Sequence, residues 1–348
     1  MKSRPSRRAV VAGTVAVGAL ATTRSDAASP SVSPPMQAVL DYARGQRTTG
    51  FLVVQSRKLL AQANWPAPAD LPFRDFTYGT TPEGSLLEDV ASQQKSFVAV
   101  LAAIAVDKGL LDVERPVSAY VGTGWSRAAP DQEAQIRVIH VLTMSSGLTT
   151  DFAYAAAPGA VFLYNTPVYA ITKRVLAAAA KHPLETITRD WLTAPADMGE
   201  TAWRQRPAAF ADVGNPTGLV TSPRDTAKFG QLVLDGGKSA DGARVVSEAG
   251  LKAMFVRSDA NPAYGRLWWL NGGAFAIRPL DRRVGGPLIP AAPPDLVAAL
   301  GALDRKLYIV PSLDLVVVRM GDATPDKDFD QQLWLRLTPA LGASAPLT

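Results

Sequence analysis

The sequence predicts a mixed α/β fold, in which an antiparallel β-sheet is flanked by helices and carries an inserted, mainly helical lobe. Strand-like segments occur near both ends of the 348-residue chain, within residues 50–62 and 264–320. The region between them, from 116 to about 214, is mostly helical or loop-like. A polar turn at 311–314 separates the last two strand segments, as expected for an antiparallel hairpin.

The first part of the predicted domain combines a short helix with two strands. A helix is expected over residues 36–42, and apolar runs at 50–54 and 58–62 predict a strand pair joined by a polar turn. A loop rich in Pro, Asp and Gly follows at 65–84. Beyond this loop, apolar residues at helical spacing predict a helix that begins close to Ser92.

Later elements return to strands. The Ala-rich segment 171–180 is the clearest helix of the middle region. Ser222 opens another helix, because it is followed by Pro at the first turn and by a carboxylate three residues on. Strands are then expected over residues 264–270, 296–302, 307–310 and 315–320.

The N-terminal residues resemble an export signal. Arg7 and Arg8 precede an uncharged stretch at 9–23, which is too short for a comfortable membrane span. We expect a twin-arginine-type signal peptide and hence a periplasmic or secreted protein with no stable membrane span after cleavage; a disordered basic leader or an uncleaved anchor is the alternative. The expected organisation is a signal peptide at 1–28, a linker at 29–35 and one domain at 36–345, with an α/β lobe at about 36–97 and 220–345 and a helical lobe at about 98–219.

Composition excludes several kinds of chemistry. The chain has no Cys, which excludes disulfides, thiolate metal sites and a cysteine nucleophile. Its two histidines, His140 and His182, are interpreted as a packed residue and a helix-end residue. Most of the net charge of +5 lies in the basic leader, and no dense basic stripe follows it. Nucleic-acid binding is therefore disfavoured.

Ser92 and Lys95 are the residues with the clearest chemical potential. Three positions apart on a helix, their side chains share one face. A serine hydroxyl becomes a nucleophile when a base takes its proton, and a lysine held neutral by burial can do so. A nucleophile at a helix N-terminus also has a free backbone N–H for a developing oxyanion. Taken alone, such a pair is more often a capping serine and a surface lysine.

Five stretches occur in order along the chain, at residues 91–97 with 104–111, which contain this pair, and at 141–148, 158–165, 218–225 and 308–315. Together they resemble the serine β-lactamase-related family, over nearly all of the chain past the linker. That family includes class C β-lactamases, D-Ala-D-Ala carboxypeptidases, esterases and 6-aminohexanoate-dimer hydrolases. The resemblance implies a β-lactamase/transpeptidase-like fold and a covalent acyl-enzyme route.

The resemblance assigns a role to each catalytic candidate. Ser92 would attack the carbonyl carbon, and Lys95 would help to remove its proton. Tyr164 matches the family's second-motif tyrosine, which would relay that proton to the leaving group and later activate water. Whether Lys95 or Tyr164 is the main base stays open, because their titrations are coupled. The backbone N–H groups of Ser92 and Ala302 would bind the oxyanion.

The second motif of the family is altered in this chain. The usual pattern is Tyr-any-Asn, whereas residues 164–166 read Tyr-Asn-Thr. Thr166 therefore stands where a substrate-orienting amide is expected, and Asn165 lies one position early. We take Asn165, Thr166 and Gly301 as the candidate substrate-binding residues.

The third motif is altered as well. The family's Lys or His, Thr or Ser, and Gly are matched by Ala299, Leu300 and Gly301, so only the glycine is kept. The missing cation is the one that would meet the carboxylate of a penicillin or a D-Ala terminus. Its loss favours uncharged amides or esters, although Arg305 or Lys306 could supply a charge instead.

The sequence therefore predicts a serine hydrolase that cleaves small amides or esters, with no metal or organic cofactor. A β-lactamase or D-Ala-D-Ala carboxypeptidase is the alternative within the same chemistry. A non-catalytic penicillin-binding-like or cell-wall-binding protein, suggested by the altered motifs, is the alternative of another class.

Overall fold

The computed structural model describes residues 32–68, 76–208, 214–280 and 282–342. Its strands are β1 (Thr48–Gln55), β2 (Lys58–Asn64), β3 (Thr77–Thr80), β4 (Leu86–Asp89), β5 (Ala202–Gln205), β6 (Thr217–Thr221), β7 (Trp269–Leu270), β8 (Phe275–Arg278), β9 (Arg282–Gly285), β10 (Val297–Gly301), β11 (Arg305–Val310) and β12 (Leu315–Gly321). Its helices are α1 (Pro34–Gly45), α2 (Gln94–Asp107), α3 (Ser118–Val121), α4 (Pro130–Glu133), α5 (Val138–Leu142), α6 (Thr166–Ala180), α7 (Leu184–Thr188), α8 (Pro223–Leu234), α9 (Glu248–Met254) and α10 (Phe329–Ala340).

The central sheet joins the two ends of the chain. Six strands lie in the order β2-β1-β12-β11-β10-β7, and every neighbouring pair is antiparallel. Every residue of β11 and β12 is buried, because α8 packs on these strands while α1 and α10 pack together beside β1. The predicted β11–β12 hairpin is confirmed, with Asp314 in the left-handed conformation. The predicted antiparallel sheet with flanking helices is also confirmed.

Several element boundaries differ from the prediction. The linker was expected to include residues 34 and 35, but α1 begins at Pro34. Proline fits the first helical turn, where its missing N–H has no intrahelical partner, and Ser33 caps the helix by accepting from the Met36 N–H. The predicted signal peptide and residues 29–31 lie outside the described residues, so export stays a prediction.

A second sheet corrects two further expectations. Its four antiparallel strands lie in the order β3-β4-β6-β5, so the predicted loop at 65–84 contains a strand and the mainly helical region contains β5. The strand expected at 264–270 shrinks to the two residues of β7. The β8–β9 hairpin and α10 were not predicted from the sequence. Among the described residues, no helix has the length and apolar character needed to cross a bilayer.

Candidate active site

Ser92 lies in a tight turn that is stabilised by a hydrogen bond to a buried carboxylate. The turn, Ala91–Gln93, is a short 3₁₀-helix between β4 and α2, and Ala91 adopts a φ of +49°. This left-handed conformation costs an L-residue about 1–2 kcal/mol. Asp89, at the end of β4, offsets the cost by accepting the Ala91 N–H at 2.8 Å. The sequence therefore folds into a constrained turn that presents the Ser92 side chain.

Asp89 is itself fixed by a buried ion pair. Nε and Nη2 of Arg206 donate to its two carboxylate oxygens at 2.7 and 2.9 Å, and neither side chain is appreciably exposed. Arg206 follows β5, 117 positions along the chain from Asp89. Sequence reasoning missed this pair, because its two residues are far apart along the chain. The only signal was the position of Asp89 three residues before Ser92.

Lys95 is the second residue of α2, about one turn after Ser92, and its Nζ lies 2.9 Å from Oγ of Ser92. The lysine side chain is buried, and this desolvation, together with the positive charge of Arg206, lowers the pKa of Lys95 to about 7. A substantial fraction of the amine is then unprotonated at neutral pH. The structure thus brings the serine hydroxyl and an amine able to accept its proton within hydrogen-bond distance.

Tyr164 completes the cluster from the other side of the cleft. Its ring centre lies 4.9 Å from Nζ of Lys95, and it stacks on Trp269 with ring centres 5.7 Å apart. Burial raises the pKa of Tyr164 to about 12, although a hydrogen bond with the Ser92 side chain acts in the opposite direction. The phenol therefore stays protonated at neutral pH and is suited to donate a proton.

The structure separates the two residues of the altered second motif. Asn165 caps α6: its Oδ1 accepts the Val168 N–H, and its Nδ2 donates to the carbonyls of Leu148 and Thr149. Because these bonds occupy the whole buried amide, Asn165 does not face the cleft, which corrects the expectation that it binds substrate. Thr166 does approach the site, with its Oγ1 3.3 Å from Nζ of Lys95.

Gly301 and Ala302 lie on the other wall of the site. β10 packs against the Ser92 turn, and Ala302 begins a second 3₁₀ turn, Ala302–Asp304, directly after it. A side chain at Gly301 would collide with the carbonyl oxygen of Val90 and press on the backbone nitrogen of Gln93. Glycine is therefore required for the strand to lie this close to the Ser92 turn.

We expect Gly301→Ala to destabilise the fold by about 1–3 kcal/mol, the usual cost of forcing atoms into a packed site. The displaced strand would also carry Ala302 away from Ser92, so turnover falls with stability. Urea unfolding and ester hydrolysis measure the two effects. Gly199→Ala is the control, because its added methyl meets no atom within 4 Å. Wild-type stability and turnover in Gly301→Ala would contradict the close packing.

The Ser92 turn, Tyr164 and the end of β10 border a cleft of about 830 Å³. Its described lining includes Ser92, Tyr164, Trp269 and Gly301, together with charged residues from the β8–β9 hairpin and from around β11. Of the predicted residues, Ser92, Lys95, Tyr164, Thr166, Gly301 and Ala302 are brought together here, and Asn165 is not.

Neither residue expected to replace the missing cation supplies an unbalanced charge. Arg305 points into the core, where it forms an ion pair with Glu88 at 3.1 Å. Lys306 does line the cleft, but its Nζ lies 3.1 Å from carboxylate oxygens of both Asp304 and Asp330.

The two histidines take no part in the cluster. His140 accepts the Arg137 N–H through Nδ1, and burial with the nearby Arg137 charge lowers the pKa of His140 to about 4. His182 is exposed just past the end of α6, as the sequence predicted.

An antiparallel sheet flanked by helices, with a Ser-x-x-Lys turn facing a tyrosine across the cleft, defines the β-lactamase-fold class. The family model for beta-lactamases matches residues 36–339. The chain therefore belongs to the beta-lactamase family.

Individual relatives agree with this assignment. The 6-aminohexanoate-dimer hydrolase of Paenarthrobacter ureafaciens is 22% identical over 337 residues, which span 81% of this chain and 74% of the relative. A solved Bacteroides dorei structure superposes with a TM-score of 0.68 at 14% identity, covering 89% of this chain and 98% of that one. A beta-lactamase from Mycobacterium bovis gives 0.63 at 15% identity, covering 87% and 98%. Membership of the family and the similarity to the 6-aminohexanoate-dimer hydrolase together support a hydrolase.

Proposed function

We propose that this protein is a serine hydrolase that cleaves amide or ester bonds through an acyl-enzyme on Ser92. The observation that carries the proposal is the 2.9 Å approach of Nζ of Lys95 to Oγ of Ser92, beside a solvent-accessible cleft. Burying a lysine costs free energy. Here the burial lowers the pKa of Lys95 to about 7, which is what a base needs near neutral pH.

In the first step, neutral Lys95 takes the hydroxyl proton as Oγ of Ser92 attacks the substrate carbonyl carbon. The negative charge that develops on the carbonyl oxygen is held by the backbone N–H groups of Ser92 and Ala302. Both residues lie at the start of short 3₁₀ turns, where an N–H lacks a partner within the turn.

The proton then passes from the Lys95 ammonium to Tyr164 as the phenol donates its own proton to the leaving amine or alcohol. This order follows from the two pKa values, about 7 for Lys95 and about 12 for Tyr164, which suit a base and an acid respectively. Hydrolysis of the acyl-enzyme repeats the sequence, with water in place of the Ser92 hydroxyl. We thus assign Lys95 as the main base and Tyr164 as the proton relay.

Small amides and esters are the proposed substrates, with β-lactams and D-Ala-D-Ala peptides as the alternative. The β10 positions that carry a cation and a hydroxyl elsewhere in the family are Ala299 and Leu300 here. The charge that would meet a penicillin carboxylate is therefore missing from this strand. We further propose that the leader exports the enzyme to the periplasm or medium.

Covalent labelling tests the proposal. A fluorophosphonate probe should add one equivalent to the purified protein, at the peptide that contains Ser92, and the adduct should be absent from Ser92→Ala. The control is Ser96→Ala, in the first turn of α2, where the hydroxyl donates to the Leu267 carbonyl instead. Labelling elsewhere, or none at all, would favour the non-catalytic binding protein. Faster hydrolysis of a chromogenic cephalosporin than of aryl esters would favour the β-lactamase.

A further inference from the structure

The β8–β9 hairpin carries two arginines into the active-site cleft. Arg278 is the last residue of β8 and Arg282 the first of β9, and the antiparallel register pairs them directly across the hairpin. Both line the cleft that holds Ser92 and Tyr164. Their neighbour Arg283 does not share this position, because successive side chains alternate between faces and its guanidinium lies over the Phe275 ring.

This pairing of like charges is unfavourable without a partner. Residues directly opposite on antiparallel strands have Cβ atoms about 5 Å apart, and like charges there are destabilising. Nη2 of Arg278 donates to the Leu288 carbonyl, whereas its buried Nε has no hydrogen-bond partner within the described part of the chain. An anion placed between the two guanidinium groups would offset the repulsion and accept from this unused donor.

The two carboxylates in the described lining of the cleft, Asp304 and Asp330, are already engaged. Asp304 accepts from Thr324 and lies beside Lys306, and Asp330 accepts from Tyr308 and lies beside the same lysine. Among the described residues that line the cleft, three cations therefore face two carboxylates, and the two hairpin arginines hold the charge that is not balanced.

We propose that Arg278 and Arg282 form a carboxylate-binding clamp at the rim of the cleft, so that the preferred substrates are amides or esters that carry a carboxylate. This inference rests on the proposed function. Guanidinium groups bind carboxylates through parallel, charge-assisted hydrogen bonds, which provide orientation as well as affinity. The cation that is missing from β10 is thereby supplied by a different element, which reverses the sequence-based preference for uncharged substrates.

A matched pair of aryl esters tests the clamp. The mono-p-nitrophenyl ester of glutarate differs from p-nitrophenyl valerate by a carboxylate in place of the terminal methyl group. We expect kcat/KM to favour the glutarate ester in the wild type, and the glutarate-to-valerate ratio to fall about ten-fold or more in Arg278→Gln and Arg282→Gln. Added salt should lower the wild-type ratio. Arg283→Gln, on the same hairpin, should keep the wild-type ratio.

The outcomes separate the two proposals. Failure of the wild type to hydrolyse either ester contradicts the proposed function. Hydrolysis of both esters with a ratio that does not change in Arg278→Gln and Arg282→Gln overturns the clamp alone. An equal fall of the ratio in Arg283→Gln also overturns it, because the effect would then reflect net charge rather than these two positions.

Discussion

Replacing Lys95 with Met should lower kcat/KM for ester hydrolysis by about 10³-fold or more, because the Ser92 hydroxyl then lacks the base that takes its proton. Methionine fills nearly the same volume without a charge, so the buried site should stay packed. The wild-type rate should rise with pH through about 7, where Lys95 loses its proton, and this limb should be absent from the variant. Steady-state kinetics from pH 5 to 9 measure both effects.

The pH dependence of the free energy of unfolding provides an independent test of Lys95→Met. The pKa of Lys95 is about 7 in the folded state against an ordinary 10.5, so between these values the unfolded chain binds a proton that the folded protein does not. The contribution of Lys95 to the free energy of unfolding therefore increases as pH rises through this window. Lys95→Met should remove this contribution and leave the protein at least as stable near neutral pH.

The matched control is Lys108→Met, where an exposed lysine follows the last turn of the same helix. It should keep wild-type kinetics and the same pH dependence. Activity of Lys95→Met within ten-fold of the wild type would contradict the assignment of Lys95 and transfer the role of base to Tyr164.

Replacing Arg206 with Leu should destabilise the protein by about 3–5 kcal/mol, because the carboxylate of Asp89 would be left buried without its partner. The substitution should also disturb Ser92, since Asp89 accepts the Ala91 N–H of the Ser92 turn. Urea unfolding measures the change. The double variant Asp89→Leu with Arg206→Leu should recover part of it, because no unpaired charge then remains.

Arg206→Leu should also change the pH dependence of activity. Arg206 is one of the two causes of the lowered pKa of Lys95, so its removal should move the acid limb of activity to higher pH. Arg204→Leu is the control, because this arginine is exposed on β5, two residues earlier. A stable Arg206→Leu variant with an unshifted limb would show that the ion pair supports neither the fold nor the lysine.

Much of the fold and the core of the site could be predicted, because their signals are local. Apolar runs next to polar turns indicated β1, β2 and β12, and the Ser cap followed by Pro indicated α8. The three-residue spacing of Ser92 and Lys95 already places both side chains on one helix face. The β8–β9 hairpin escaped prediction, since its strands are only four residues long and every residue of β9 is exposed, so no buried face imposes an alternating pattern there.

The sequence by itself determined that the side chains of Ser92 and Lys95 lie together, since helical geometry fixes the direction of side chains one turn apart. Only the tertiary structure decided how basic that amine is, because burial and Arg206, distant along the chain, set the pKa of Lys95. It also decided that Asn165 caps a helix, and that Arg278 and Arg282 carry the unbalanced charge among the described residues that line the cleft. Electrostatic interactions depend on distance in space, and the periodicity of a sequence does not indicate which residues far apart along the chain will be neighbours in the fold.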